Sequence, residues 1–290
     1  MTDLAAHRAF YANFIVSSVG ANDARLIEAF GSVPREHYVG AGPWPIFTGS
    51  GYLPTISSDP ALLYQDVLVG LDTGRGINNG QPTLHARALA ACAPALGESV
   101  VHIGAGSGYY TAVLATLVGN AGRVIAYEVE ADLAARARAN LAHFKHVDVR
   151  AESASVGALP AANVIYVNAG ATHPLASWLD ALRVGGRLIF PLTPHEGFGC
   201  MLLVTRKSAA IYAAKALLRV AFIPCIGARC DAASKALTAA LEVHSLAGVK
   251  SLHRGGRPDS TAWCAGEGWW LSSAEPAALP HRACMPGIKG

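Results

Sequence analysis

The feature that most constrains this chain is the stretch SVVHIGAGSGYYTAVLATLV, residues 99–118. An apolar run ending at Ile103 meets the glycine-dense turn Gly104-Ala105-Gly106-Ser107-Gly108, and a run of good helix formers follows at once. Glycines let the backbone approach a ligand closely, and the helix N-terminus behind them favours negative charge. Such a turn suits a nucleoside triphosphate, a dinucleotide or another adenosine-bearing molecule. A triphosphate loop needs G-x-x-x-x-G-K-S/T, and no Lys stands at the equivalent place. The spacing here is G-x-G-x-G, with Tyr109 and Tyr110 where a dinucleotide site keeps a small residue to seat pyrophosphate.

The second strand, VIAYE, ends in Glu128, twenty residues past Gly108. A carboxylate at that strand tip can accept hydrogen bonds from both ribose hydroxyls. NAD and S-adenosylmethionine share that ribose; G-x-G-x-G with the acid at the second strand tip favours S-adenosylmethionine.

The rest of the chain supplies the fold. Pro82 opens a helix over PTLHARALAACAPAL, closed by Gly97. From there strands and helices alternate. Strands are expected at Ser99–Ile103, Arg123–Glu128, Val147–Val149, Asn163–Asn168 and Arg187–Leu192. Helices are expected at Tyr109–Val118, Asp132–His143 and Pro174–Leu182, with a Gly185-Gly186 turn before the fifth strand. That alternation predicts an α/β, Rossmann-like sheet, mostly parallel with helices on both faces. CMLLVTR and IYAAKALLRVAFIP follow without helices between them, which predicts an antiparallel edge.

Upstream, ANDARLIEAF reads as a short helix capped by Asp23, and residues 40–60 as an irregular wrapping segment rich in Gly, Pro and aromatics. After Cys230 the character changes to one helix, DAASKALTAALEVH, and two strands, VKSLHRG and TAWCAGEGWWLS, whose tryptophans are expected to build that unit's core. The division is therefore 1–80, an N-terminal segment packed on the core; 81–230, the cofactor-binding core; and 231–290, a C-terminal α+β extension.

A net charge of +3 without a dense basic block argues against nucleic acid, and no apolar run approaches a bilayer span. Asp3, His7 and Arg8 interrupt any signal-peptide order, so a cytoplasmic protein is expected. The six cysteines are scattered, none in C-x-x-C, and read as reduced thiols; no metal site is expected.

Several segments, in order, resemble the protein-L-isoaspartate (D-aspartate) O-methyltransferases. SVPREHYVG is similar to their N-terminal signature, Tyr64-Gln65-Asp66 to a short tyrosine-acid strand, and INNGQPTLHARALA to their Ser-x-Pro segment. VVHIGAGSGYYTAVLATLV is similar to their cofactor motif, and NAGATHPLASWLDALRVGGRLIFPL to their fourth strand, helix, double-glycine turn and fifth strand. MLLVTRK and VAFIPCIGAR complete a likeness spanning about residues 20–230.

The resemblance implies a class I methyltransferase fold and S-adenosyl-L-methionine as donor, leaving S-adenosyl-L-homocysteine. It implies that Gly104, Ala105, Gly106, Ser107 and Gly108 line the methionine end, with Asn168 also at the cofactor. Glu128 and Val129 would hold the ribose, and Glu152 or Ser153 the adenine side. Gln81, Pro82 and Leu84 would cover the cofactor from the N-terminal side. The family's acceptor-site serine is Gly80 here, which leaves Asn79, Gly80 and Thr83 as the candidate catalytic segment. The acid usual two positions before the first glycine is His102.

The chemistry implied is methyl transfer to a carboxylate. With an ordinary pKa of about 4, a carboxylate is ionised at neutral pH and needs no general base. Trp44 and Phe47 are candidate walls for such a site, although anchoring of the loop is the more ordinary role. Isoaspartyl or aspartyl groups of a peptide or protein are the first acceptor. The alternatives are one dedicated peptide, as in ribosomal natural-product tailoring, a small molecule, or a non-catalytic cofactor-binding module; a nicotinamide oxidoreductase is more distant.

Overall fold

The computed structural model describes residues 3–276. Two helices open the chain, α1 (Leu4–Ser18) and α2 (Ala24–Ser32), followed by two small hairpins, β1 (Pro45–Phe47) with β2 (Tyr52–Pro54) and β3 (Gly70–Asp72) with β4 (Ile77–Asn78). Helix α3 (Pro82–Cys92) leads to the alternating core: β5 (Ser99–Ile103), α4 (Tyr109–Val118), β6 (Arg123–Tyr127), α5 (Ala131–Asn140) and β7 (Val147–Arg150). It continues through β8 (Ala162–Val167), α6 (Ala176–Ala181), β9 (Leu182–Leu192), β10 (Gly199–Arg206) and β11 (Tyr212–Val220). The chain then forms α7 (Asp231–Val243), β12 (Ser251–Arg254), β13 (Ala262–Gly266) and β14 (Trp269–Ser272).

One ten-stranded sheet organises the molecule, in the order β7-β6-β5-β8-β9-β10-β11-β12-β14-β13. The strands from β7 to β9 are parallel, and every pair from β9–β10 outward is antiparallel. The alternating side-chain directions of a strand feed two cores. Val100, Val124 and Val164 face α1 to α4, whereas Val101, Ile125 and Ile165 face Trp178 of α6 and Leu237 of α7. Among the described residues no helix is long and apolar enough to cross a membrane.

The structure departs from the sequence expectations in four places. Helix α1 has no counterpart in them, because Phe10 and Phe14 stay exposed while Tyr11, Ile15 and Val16 are buried, so apolar residues lie on both faces and blur the helical period. Helix α3 ends at Cys92, where Ala93 adopts a left-handed cap (φ 41°) ahead of Pro94. The Gly185-Gly186 pair lies inside β9 rather than before it, with a register shift against β8.

In the C-terminal region TAWCAGEGWWLS is itself a hairpin, β13–β14, and β12–β14 continue the central sheet. Trp263 and Trp269 belong to the second core, and Trp270 stacks on His253 at 3.9 Å. The described cysteines are free, with Cys230 exposed and the other four buried; Cys284 lies outside the described residues.

The N-terminal segment is fixed by a buried cation. Arg35 donates to the carbonyls of Leu63, Gln65 and Val67. It does not pair with Glu36, which binds Arg8 and Tyr64 instead. Holding 63–67 places the Asp66 carboxylate at the start of α3. There it accepts from the Thr83 amide (2.8 Å), the Thr83 hydroxyl (2.7 Å) and Gln81 Nε2 (2.8 Å). A carboxylate at a helix N-terminus satisfies amides that the helix itself leaves unpaired.

Candidate active site

Strand β5 has β6 on one side and β8 on the other, so the chain reverses direction of travel across the sheet at its C-terminal end. Parallel sheets open a crevice at such a switch point. Two adjoining cavities lie there, of about 330 Å³ and about 140 Å³. Both are lined by Asn78, Gly104, Gly106, Asn168 and Ile223.

In the smaller cavity Glu128 is buried, with Oε2 accepting from the Gly106 amide (2.6 Å) and Oε1 from the Glu130 amide (3.0 Å). Burial raises its pKa, and those backbone donors oppose the rise. A carboxylate has about four acceptor sites, more than the Glu130, Gly106 and Val129 amides occupy. Val129, Glu152 and Ser153 lie along the same cavity, opposite Cys225 and Ile226. Glu152 is exposed, 3.8 Å from Arg150.

The glycines of the turn divide by role. Gly104 (φ 76°) and Gly106 (φ 56°) line both cavities in left-handed backbone. Gly108 lines neither; a β-carbon there would meet Leu141 at 2.9 Å, so it packs α4 against α5. Pro82 is buried as the first residue of α3 and likewise lines neither cavity. Ala105, Ser107, Gln81 and Leu84 line the larger cavity.

On the N-terminal side, Asn79 and Gly80 line the larger cavity and Thr83 does not. The Thr83 amide and hydroxyl both donate to Asp66, so Thr83 seats the start of the helix. Asn79 is 7% exposed; its Oδ1 accepts from the Val69 amide (3.4 Å), and its Nδ2 is buried without a partner. Trp44 packs with Val39, Leu63 and Val69 and donates to the Gly40 carbonyl (2.9 Å), which is the anchoring role. Neither Trp44 nor Phe47 reaches the cavities.

The walls are instead Leu68, Leu71, Leu84, Tyr110 and Phe222, with His85. His85 is 2% exposed, stacks on Tyr110 at 3.6 Å and holds Tyr166 Oη at 2.9 Å through Nδ1. The ring fills the space beside Gly80: a β-carbon at residue 80 would stand 2.2 Å from His85 Nε2. A histidine on the helix that Pro82 opens is more ordinarily a packing or surface residue. The signal that could have revealed it is the joint presence of glycine at 80 and a large polar ring one helical turn beyond. Phe222 and Ile223 are invisible in the sequence for another reason. They reach the site because the Gly170 amide donates to the Ile223 carbonyl and the Gly170 carbonyl accepts from the Cys225 amide, a long-range pairing. His173 and His195 line neither cavity; His195 sits between Arg229 and Asp231.

Comparison with known proteins shows the family and the fold. The family model described as protein-L-isoaspartate(D-aspartate) O-methyltransferase matches residues 15–229. A relative from Rhodopseudomonas palustris (strain HaA2), named protein-L-isoaspartate O-methyltransferase 1, is 33% identical over 228 residues, 78% of this chain and 85% of the relative. One from Marinobacter nauticus, named protein-L-isoaspartate O-methyltransferase 2, is 34% identical over 212 residues, 72% of this chain and 87% of the relative. Among solved structures, a Plasmodium falciparum protein described as a putative protein-L-isoaspartate O-methyltransferase in complex with S-adenosyl-L-homocysteine superposes with a TM-score of 0.61. It is 20% identical and covers 76% of this chain and 98% of its own, a likeness of fold. Helix α7 and strands β12–β14 lie beyond the matched region.

Proposed function

The chain belongs to the protein-L-isoaspartate(D-aspartate) O-methyltransferase family, and from that premise we propose that it esterifies the carboxylate of isoaspartyl groups in peptides or proteins. S-adenosyl-L-methionine, when bound, supplies an electrophilic methyl group on a sulfonium. The residues present suit that donor. Glu128 has lone pairs free for a ribose diol, Asn168 presents a buried unpartnered oxygen, and Gly104 and Gly106 leave the backbone open to close approach. Val129, Glu152 and Ser153 would border the adenine side.

The observation that carries the acceptor reading is the neutral lining of the larger cavity. It has no Lys, Arg, Asp or Glu in its walls among the described residues, and it is lined by Asn79, whose Nδ2 is buried without a partner. An ionised carboxylate needs donors and no base, and an amide N–H can orient it without protonating it. Asn79 would receive the carboxylate, and the apolar walls would keep water from competing as opposite charges neutralise. The test is incubation with S-adenosylmethionine labelled in its methyl group and an isoaspartyl peptide, with the ordinary aspartyl peptide as control. A base-labile methyl ester confined to the isoaspartyl peptide is expected. Donor binding without any ester above a no-enzyme control would overturn the isoaspartyl reading.

Gly80 favours a second reading, a dedicated peptide acceptor, because the family serine is absent there. Restoring the serine is expected to harm rather than help. Gly80 has φ 74°, and its β-carbon would strike an imidazole pinned by Tyr110 and Tyr166. Left-handed strain and overpacking each cost about 1–3 kcal/mol. Gly80→Ser should therefore lower the melting temperature by several degrees and cut methyl transfer about tenfold or more, measured by thermal unfolding and by the ester assay. Full activity at an unchanged melting temperature would refute the collision.

A further inference from the structure

His102 lies on the face of β5 that meets α4, and it is fully buried. Its Nδ1 lies 2.8 Å from Thr111 Oγ1 and its Nε2 lies 2.8 Å from Asn168 Nδ2. Burial drives its pKa down to about 3, so the ring is neutral at physiological pH. A neutral imidazole has one N–H and one lone pair. With Asn168 Nδ2 facing Nε2, a lone pair on Nε2 and a proton on Nδ1, donated to Thr111 Oγ1, satisfy both contacts. That arrangement turns Asn168 Oδ1 away from His102. The oxygen is buried without a partner, on a residue that borders both cavities beside Gly104.

We propose that Thr111, His102 and Asn168 form a positioning relay that holds Asn168 Oδ1 as the acceptor for the ammonium group of the methyl donor's amino-acid end. The inference rests on the donor reading given above. The chemistry is specific in sign. An unpartnered carbonyl oxygen receives an N–H donor and repels a carboxylate, so it selects the ammonium rather than the carboxylate of a zwitterion. The relay substitutes orientation for charge, since none of its three members is ionised. Thr111 and His102 touch no ligand in this scheme; they act only by fixing the face that Asn168 presents. The opposite amide orientation would require the proton on His102 Nε2 and would point Nδ2 at the site, where it would suit a carboxylate.

The test compares two probes by calorimetry. S-adenosylhomocysteine carries the amino-acid end, and 5′-methylthioadenosine keeps the adenosine and sulfur but lacks it. Asn168→Leu is expected to weaken S-adenosylhomocysteine about tenfold or more and to leave 5′-methylthioadenosine within about twofold. His102→Phe should weaken the first probe less, and adding it to Asn168→Leu should cost nothing further, as for a residue acting through another.

Ring ¹⁵N shifts of the wild type should report the Nδ1–H tautomer. Asn168→Asp, nearly isosteric, should keep S-adenosylhomocysteine binding and move the imidazole proton to Nε2. An Nε2–H tautomer in the wild type, or equal loss of both probes in Asn168→Leu and no tautomer change in Asn168→Asp, overturns the relay. A wild type that binds neither probe removes the donor reading and the relay together, and is thereby distinguished from failure of the relay alone.

Discussion

Glu128→Ala is expected to weaken S-adenosylhomocysteine binding by about two to four orders of magnitude. The carboxylate sits at the tip of β6 with both oxygens already accepting backbone amides, from Gly106 and from Glu130. On the proposed reading its remaining acceptor capacity would receive the two vicinal hydroxyls of the ribose. Hydrogen bonds to a charged group are worth about 1.5–3 kcal/mol each, so loss of two gives that range. Removal also leaves the Gly106 and Glu130 amides unpaired, which loosens the turn as well as the ribose contact.

Glu128→Gln should rescue little. Both carboxylate oxygens face N–H donors, so the amide NH₂ must be turned against one of them. Calorimetry on Ala and Gln variants decides this, with circular dichroism to show that the fold persists. A Gln variant that binds within about threefold of the wild type would mean that Glu128 is not the diol acceptor.

Acid is expected to destabilise the folded protein well above the range in which carboxylates titrate. His85 and His102 are both buried on the first core, and burial lowers each pKa from 6.5 to about 3. For His85 the nearby His102 and Arg35 add to the effect. The groups packed on these rings, Tyr110, Tyr166, Phe222, Thr111 and Asn168, offer no negative charge to stabilise an imidazolium.

Below the unfolded pKa the unfolded chain takes up protons that the folded chain refuses. Stability is therefore complete above pH 6.5 and falls as pH drops toward 3. The slope is about 1.4 kcal/mol per pH unit for each ring, so at about pH 5 the two together remove on the order of 4 kcal/mol. That is a large share of a typical total stability of about 5–15 kcal/mol. Glu128 works in the opposite sense, because burial raises its pKa and protonation relieves it.

Urea unfolding between about pH 7.5 and pH 5, a window set roughly by the unperturbed histidine and carboxylate pKa values, measures the slope. His102→Asn should lower it by about one proton's worth. A flat profile across that window would show that the rings become charged in place.

Much of the fold is legible in the chain itself. Strand, glycine turn and helix at 99–118, the alternation that follows, and the antiparallel run after Leu192 are local patterns of period two and period 3.6, and each appears as an element in the sheet. The division of labour within the glycines could not be read. Gly104 and Gly106 border the site while Gly108 meets Leu141, and only the packing of α5 against the turn tells them apart. Thr83 looks in the sequence like a polar group for the acceptor, but Asp66, seventeen residues upstream, engages it through a segment held by Arg35.

The sequence by itself determined the order of the elements, the cofactor turn and the acid at the second strand tip, because these depend on residues near one another in the chain. Tertiary structure alone decided what lines the acceptor side. His85 filling the space beside Gly80, Phe222 brought in by the 223–225 pairing, and Asn168 turned by His102 all arise from contacts that the fold brings about. A side chain's hydrogen-bonding partner is set by which strands and helices lie adjacent, and that adjacency carries no local sequence signal.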